Sequence, residues 1–351
     1  MIPHSRPTIG PLDREALLAV MQTGMIAGGA AVSEFEAAVA DYLGLQGGVA
    51  TSSGTSALML GLKSLGLEPG DEVILPTYVC HNVWDAVVRV GATPVLCDVG
   101  EDWSLDCSTV LPCLSPRTKG IIVVHMFGIP VDMGALVSLR IPIIENIAQA
   151  FGAEVEQGKT GTFGQLAVCS FHATKCLTTG EGGMVLSNDT STLDRVRSMR
   201  LTAPMSDLQA AVGISQLKQY DSFLRRRREI ADVYFRKLDR YLRVCMPLSL
   251  RSRSMFFRFP LRVAAPFETA REEFARAGIA VRRGVDALLH TTIGLSADEF
   301  PHAEARYNET VSIPVYPSLR DDQVAQIADA AVRIIGGLCK ARQVSEGTTR
   351  H

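Results

Sequence analysis

The chain has 351 residues, 47% of them hydrophobic, and a formal net charge of −2. That length exceeds one small domain and the apolar fraction supplies a real core, so a large domain with a smaller companion is expected. The near-neutral charge gives no electrostatic reason for a nucleic-acid partner, and no apolar run reaches the roughly 18 residues a spanning helix needs.

The N-terminus, Met1-Ile-Pro-His-Ser-Arg-Pro7, lacks the hydrophobic core of a signal peptide, which predicts a cytoplasmic protein with no membrane partner. Next, Ala50-Thr-Ser-Ser-Gly-Thr-Ser-Ala-Leu58 leads into a helix-period run from Met59. Free N–H groups at a helix start, with hydroxyls and a glycine that permits close approach, suit a phosphate, although an ordinary capped helix reads the same way. Short β-rich runs then alternate with helical patterns: Glu72–Leu75, Thr93–Cys97, Gly120–His125, Pro142–Glu145, Leu166–Phe171 and Gly183–Ser187. Continuous apolar strands separated by helices predict an α/β protein with a mostly parallel sheet covered on both faces, and ligands gather at the carboxyl ends of such strands.

Four polar clusters fall there: Ser52 to Leu58, Pro76 to Asn82, Glu145 to Gln149, and Ser170 to Gly183. In the last, Lys175 precedes Thr-Thr-Gly-Glu-Gly-Gly on a glycine-lined turn, a place suited to a buried amine that forms a Schiff base, though most lysines are solvated surface charges. A long helical pattern begins near Ser206 and contains the basic run Arg225 to Arg228, which reads as a solvated helix face. Strands are expected near Phe256–Val263 and Ile279–Arg282, with a closing helix from Asp321 to Gly336. The expected division is 1–230, a large domain with an N-terminal arm; 231–343, a small domain; and 344–351, a frayed tail. The eight cysteines (80, 97, 107, 113, 169, 176, 245 and 339) include no Cys-x-x-Cys pair and read as reduced thiols, with no disulfide and no metal site.

Taken together and in order, Ser53-Gly-Thr-Ser-Ala-Leu58, Gly70-Asp-Glu-Val-Ile-Leu-Pro76, Gly91-Ala-Thr-Pro-Val95, Val124-His-Met-Phe-Gly128, Glu145-Asn-Ile-Ala-Gln-Ala150, Ser170 to Gly183, Ser206-Asp-Leu-Gln-Ala-Ala-Val-Gly213 and Ser312-Ile-Pro-Val-Tyr-Pro-Ser-Leu319 carry a resemblance. The chain resembles the DegT/DnrJ/EryC1/StrS family of pyridoxal-phosphate-dependent sugar aminotransferases, mainly from Gly24 to Leu217. The resemblance implies the fold type I architecture: a seven-stranded, mostly parallel sheet flanked by helices, with a smaller C-terminal α/β domain. It implies pyridoxal 5'-phosphate as cofactor, Lys175 as the Schiff-base lysine and proton carrier, and Gly54, Thr55, Ser56 and Ser170 around the phosphate. Gln149 would lie beside the phenolic oxygen. Cys80 stands where relatives place a stacking ring, with His81 able to compensate. The implied reaction moves an amino group from an amino-acid donor, glutamate, to a nucleotide-linked keto-sugar in polysaccharide or antibiotic biosynthesis, in a homodimer. A cyclitol or antibiotic-precursor aminotransferase, or a non-catalytic member binding cofactor or sugar nucleotide, is the alternative. Choice of sugar would fall to loops and to residues such as Arg282, Arg283 and His290.

Two departures stand out. Asn146 replaces the family's aspartate, whose carboxylate keeps the pyridine nitrogen protonated; an amide favours the neutral ring and weakens the electron sink. Between Met199 and Met205 the chain has only Arg200-Leu-Thr-Ala-Pro204, where relatives carry a longer segment that reaches the partner subunit's cofactor phosphate.

Overall fold

The computed structural model describes residues 1–247, 251, 253–263 and 265–348. Its centre is a seven-stranded sheet of β1 (Gly47–Thr51), β2 (Glu72–Pro76), β3 (Thr93–Cys97), β4 (Thr118–Val124), β5 (Ile143–Asn146), β8 (Leu166–Ser170) and β9 (Gly183–Ser187). A small separate hairpin, β6 (Glu154–Val155) and β7 (Gly158–Lys159), intervenes. The spatial order is β1-β9-β8-β5-β4-β2-β3. Within this sheet β9 alone runs against its neighbours, as the mostly parallel expectation requires. The inner strands are apolar along their whole length because helices cover both faces; Val73, Ile74, Ile121, Ile122 and Val123 are all fully buried.

β1, β2, β5 and β8 end at one edge of the sheet, and each chain segment leaving that edge carries one of the polar clusters. The helix Gly54–Ser64 begins there because Ser53, extended at φ −161°, accepts the Ser56 N–H at 3.1 Å. Its inner face (Ala57, Leu58, Leu60, Leu62) is buried. The long helix Asp207–Leu238 starts on a capping box between Ser206 and Gln209. Its buried Asp207 also accepts the N–H groups of Gly29 (2.7 Å) and Val32 (3.0 Å), which caps the helix Ala30–Leu43 from outside.

In the C-terminal part β10 (Phe259–Arg262) pairs antiparallel with β11 (Thr310–Ile313), against the helices Phe267–Arg276, Pro301–Glu309 and Asp321–Thr348. The strand expected at Ile279–Arg282 is reduced to two single bridges, Ile2 with Ile279 and Arg282 with Ser312. The N-terminal arm supplies only one residue of partner backbone, Ile2, which exchanges hydrogen bonds with Gly278 and Ala280. The closing helix runs past Gly336 to Thr348, through most of the expected frayed tail, whose last residues (349–351) lie outside the described residues. The largest apolar cluster is continuous from Val73 and Leu75 through Tyr234 and Phe235 to Phe259, Leu261 and Ile327, so the two sheets share one core.

Only part of the basic run is a solvated face: Arg225 and Arg228 are exposed, whereas Arg226 and Arg227 turn to the protein. Arg227 is 5% exposed and donates to the carbonyls of Phe256, Phe257 and Val315 at 3.1, 3.2 and 2.8 Å. Arg226 reaches Leu319 and Asp321. Helical spacing from the buried Phe223 and to Ile230 was the signal in the sequence, and four consecutive arginines concealed it. Cys80, Cys97, Cys107, Cys113, Cys169, Cys176 and Cys245 are free thiols; the Cys339 side chain lies outside the described residues.

Candidate active site

The loop between β8 and β9 holds Lys175. Its ends are tied by Phe171 N–H to Gly182 O (2.8 Å) and Thr179 N–H to Phe171 O (2.9 Å), and Gly180 turns at φ +84°. Lys175 N–H donates to His172 O at 2.8 Å. The half-buried side chain ends with Nζ 5.3 Å from the centroid of the buried Phe257 ring. Burial pulls its pKa below the ordinary lysine value, and the Arg258 charge acts in the same direction. An amine so placed sheds its proton more readily than a surface lysine.

Opposite it lies the start of the helix Gly54–Ser64. Thr51 and Ser170 both pair with Gly183, which sets the cradle and the end of β8 on either side of β9. The approach is close enough to demand glycine: a Cβ on Gly54 would meet Ser170 Cβ at 2.6 Å, and one on Gly183 would meet the Ser53 carbonyl oxygen at 2.4 Å. Asn82 Nδ2 donates to Thr55 Oγ1 at 3.0 Å, tying the cradle to the helix His81–Arg89.

A cavity of about 540 Å³ opens between these elements, lined by Gly54, Thr55, Cys80, Asn146, Ser170 and Lys175 among the expected residues. It also takes in Ser53, Asn82, His172, Thr174 and Glu181, which sequence reasoning missed although all lie within the recognised clusters. Ser56 is not on this wall; its N–H and hydroxyl meet Ser53 Oγ at 3.1 and 3.0 Å, and Ser53 lines the cavity. Gln149 lies in the wall of a small recess beside Lys175, and its Oε1 accepts the Phe127 N–H at 3.0 Å. His81 faces away and meets Asp85 at 3.3 Å, so it does not replace a stacking ring. His290 is a buried fastening rather than a substrate contact: it meets Thr77 Oγ1 at 2.8 Å and Glu304 at 3.0 Å and stacks on Phe300. Arg283 packs on Phe267 and Tyr307 and is paired with Glu268, whereas Arg282 is exposed.

Asn146 ends β5 and is 9% exposed; its Oδ1 accepts the Ala148 N–H at 3.1 Å. One residue earlier, Glu145 is fully buried and accepts from Gly161 (2.8 Å), Phe163 (2.7 Å), Gly164 (2.6 Å) and His125 Nε2 (3.1 Å). The Val131 N–H donates to His125 Nδ1, which places the ring proton on Nε2 facing Glu145. Burial alone would raise the Glu145 pKa, but His125 and the backbone N–H groups outweigh it and hold the carboxyl below its usual value. This clamp braces β5 just behind Asn146.

A helix start with free N–H groups, a hydroxyl across from it, and a buried amine on the same cavity match a ligand bearing a phosphate and an aldehyde. The profile of the DegT/DnrJ/EryC1/StrS aminotransferase family matches residues 7–332. The chain is 31% identical to the GDP-perosamine synthase of Escherichia coli O157:H7, over 94% of this chain and 97% of the relative. It is 29% identical to the spore coat polysaccharide biosynthesis protein SpsC of Bacillus subtilis, over 96% and 97%. Among solved structures, the aminotransferase TlmJ from Streptoalloteichus hindustanus superposes with a TM-score of 0.89 at 29% identity, covering 97% of this chain and 100% of that one. The PLP form of Spr1654 from Streptococcus pneumoniae gives 0.90 at 25% identity, covering 96% and 99%.

Proposed function

The chain belongs to the DegT/DnrJ/EryC1/StrS aminotransferase family, and on that premise we propose how its own residues move an amino group from L-glutamate to a nucleotide-linked keto-sugar. It is a pyridoxal-phosphate-dependent enzyme whose relatives include a GDP-perosamine synthase and a UDP-N-acetyl-3-dehydro-alpha-D-glucosamine 3-aminotransferase. The observation that carries the assignment of roles is the convergence of the Lys175 amine and the Gly54 helix start on one cavity.

Bound in that cavity, pyridoxal phosphate supplies the carbonyl that takes up the amino group and a ring that withdraws electrons from the reacting carbon. Gly54, Thr55 and Ser170 hold the phosphate, with Ser53 and Ser56 shaping the turn. Lys175, its proton loosened by burial, anchors the cofactor and, once displaced by the incoming amine, carries a proton to and from the substrate carbon. Asn146 would address the ring nitrogen, Gln149 the phenolic oxygen, and Cys80 would pack against the ring's face. Residues 1–230 form the cofactor-binding unit and 231–343 the part that closes over it.

The acting form is a homodimer. Leu12, Leu18, Met21, Met25, Ile26 and Leu201 are 51–84% exposed, apolar side chains that a second copy would take out of water. Among the described residues no helix is long and apolar enough to cross a membrane; a cytoplasmic location is part of the same proposal.

The test is spectroscopic. Protein loaded with pyridoxal phosphate is expected to lose the visible absorbance of the bound cofactor on addition of L-glutamate, with release of 2-oxoglutarate. An unchanged spectrum overturns the choice of donor.

A further inference from the structure

Phe257, 5% exposed, carries two cations on its ring: Lys175 Nζ lies 5.3 Å from the centroid and Arg258 Cζ 5.2 Å. The chemistry assigned to Lys175 makes no use of Arg258. The guanidinium is fixed by Nη1, which donates to the carbonyls of Arg283 (3.2 Å) and Gly284 (3.5 Å). Those bonds orient it without neutralising it. Nearby, Arg262 and Arg306 pair with Glu101, and Arg283 with Glu268, whereas among the described residues no carboxylate lies at ion-pair distance from Arg258. Burial, with the Arg282 charge next, pulls its pKa down to about 10.

The surroundings are short of partners too. The Tyr78 hydroxyl is fully buried beside Gly284 and Thr310, yet makes no hydrogen bond of acceptable geometry. His4, 6% exposed, lies close enough to Arg258 and Arg282 for both to oppose its protonation, although burial is the larger cause. The Ser312 hydroxyl donates to Arg282 O, so His4 Nε2 donates to Ser312 Oγ at 2.8 Å, and Nδ1 is left without a partner. A desolvated guanidinium with no counter-charge, in a region where the Tyr78 hydroxyl and His4 Nδ1 are also unmatched, is costly unless an anion meets it.

We propose that Arg258, with the Tyr78 hydroxyl as second donor, is the seat of a carboxylate of the amino-acid donor. The proposal rests on the reading of Lys175 as the cofactor-bearing amine. A carboxylate is favoured over a nucleotide diphosphate by reach. The donor's α-carboxylate is one bond from the carbon that bears the nitrogen, whereas a sugar ring separates the diphosphate from its reacting carbon. A planar guanidinium also matches a carboxylate with two parallel N–H donors.

Glutarate, which has the donor's two carboxylates and no amine, is the probe. It is titrated calorimetrically into the holoenzyme of the wild type, Arg258→Ala and Arg258→Lys. Affinity is expected to fall by about ten- to hundredfold in Arg258→Ala and to be partly regained in Arg258→Lys, the range for one charge-assisted hydrogen-bonded pair. In the L-glutamate half-reaction KM should rise by a similar factor while the bound cofactor's absorbance stays unchanged. L-Alanine then separates the two carboxylates: an equal loss with alanine assigns Arg258 to the α-carboxylate, and a loss with glutamate alone to the side chain. Wild type that does not bind glutarate, unchanged affinity in Arg258→Ala, or weakened UDP binding with glutarate unaffected each overturns the proposal. Failure of the wild type to attach pyridoxal phosphate would instead refute the role of Lys175, and the same glutarate titration into the protein without cofactor would still report on Arg258.

Discussion

At Asn146 the direction of one amide decides what the site offers a pyridine ring. A backbone N–H can only donate, so the atom that meets Ala148 N–H is Oδ1, and Nδ2 remains as the free donor. A donor pairs with a nitrogen lone pair, whereas a carboxylate favours the protonated ring. Asn146→Asp is therefore expected to accelerate the L-glutamate half-reaction, each pKa unit regained on the ring being worth about 1.4 kcal/mol. Stopped-flow absorbance measures this, and a slower variant would mean that the site is organised around the amide. Lys175→Ala should abolish the visible absorbance of attached cofactor and lower turnover by at least about a hundredfold. Because burial lowers the Lys175 pKa, the rate of cofactor attachment should rise with pH and level off below 10.5, the ordinary lysine value.

Two elements position those residues, and each can be tested apart from catalysis. In Gly54→Ala the new Cβ would meet Ser170 Cβ at 2.6 Å, with Ser170 held in β8 by its pairing with β9 and Gly54 held at the capped helix start. A loss of about 1–3 kcal/mol, the usual range for overpacking, should appear largely as weaker cofactor affinity, read by fluorescence titration. The Glu145 clamp bears on stability instead. Its carboxyl is held below the ordinary glutamate value of 4.5 in the folded state, so its contribution is complete above that value and lost as pH falls through the lower folded one. Glu145→Gln should cost about 1.5–3 kcal/mol near pH 7, the range for hydrogen bonds to a charged group, and should flatten the acid dependence. Urea melts at pH 7 and pH 4 give both numbers. An equal acid slope in the two proteins would mean that the clamp does not govern acid unfolding.

At the scale of the whole molecule, one apolar core joins the seven-stranded sheet to the β10–β11 pair, and His290 fastens Thr77, just after β2, to Glu304. The chain should therefore unfold in a single transition by circular dichroism. Leu201, 84% exposed beside Ala203, whose carbonyl accepts the Ser52 N–H, places apolar surface near the cavity mouth. Leu201→Asp combined with Met25→Asp is expected to shift the protein from dimer to monomer in sedimentation velocity. An unchanged dimer would move the interface elsewhere. The β-rich runs of the seven-stranded sheet other than β1, the helix starts and the glycine turns could be read from the chain because periodicity and capping act over a few neighbouring residues. The lysine and its cradle were legible for the same reason, being contiguous motifs at strand ends. Folding alone decided that Ser53 rather than Ser56 lines the wall, that His81 and His290 point away from it, and that Arg227 is interior. It also set Arg258 across one phenylalanine ring from Lys175. Those are questions of which way a side chain faces, answered by segments tens to hundreds of residues distant that pack against it.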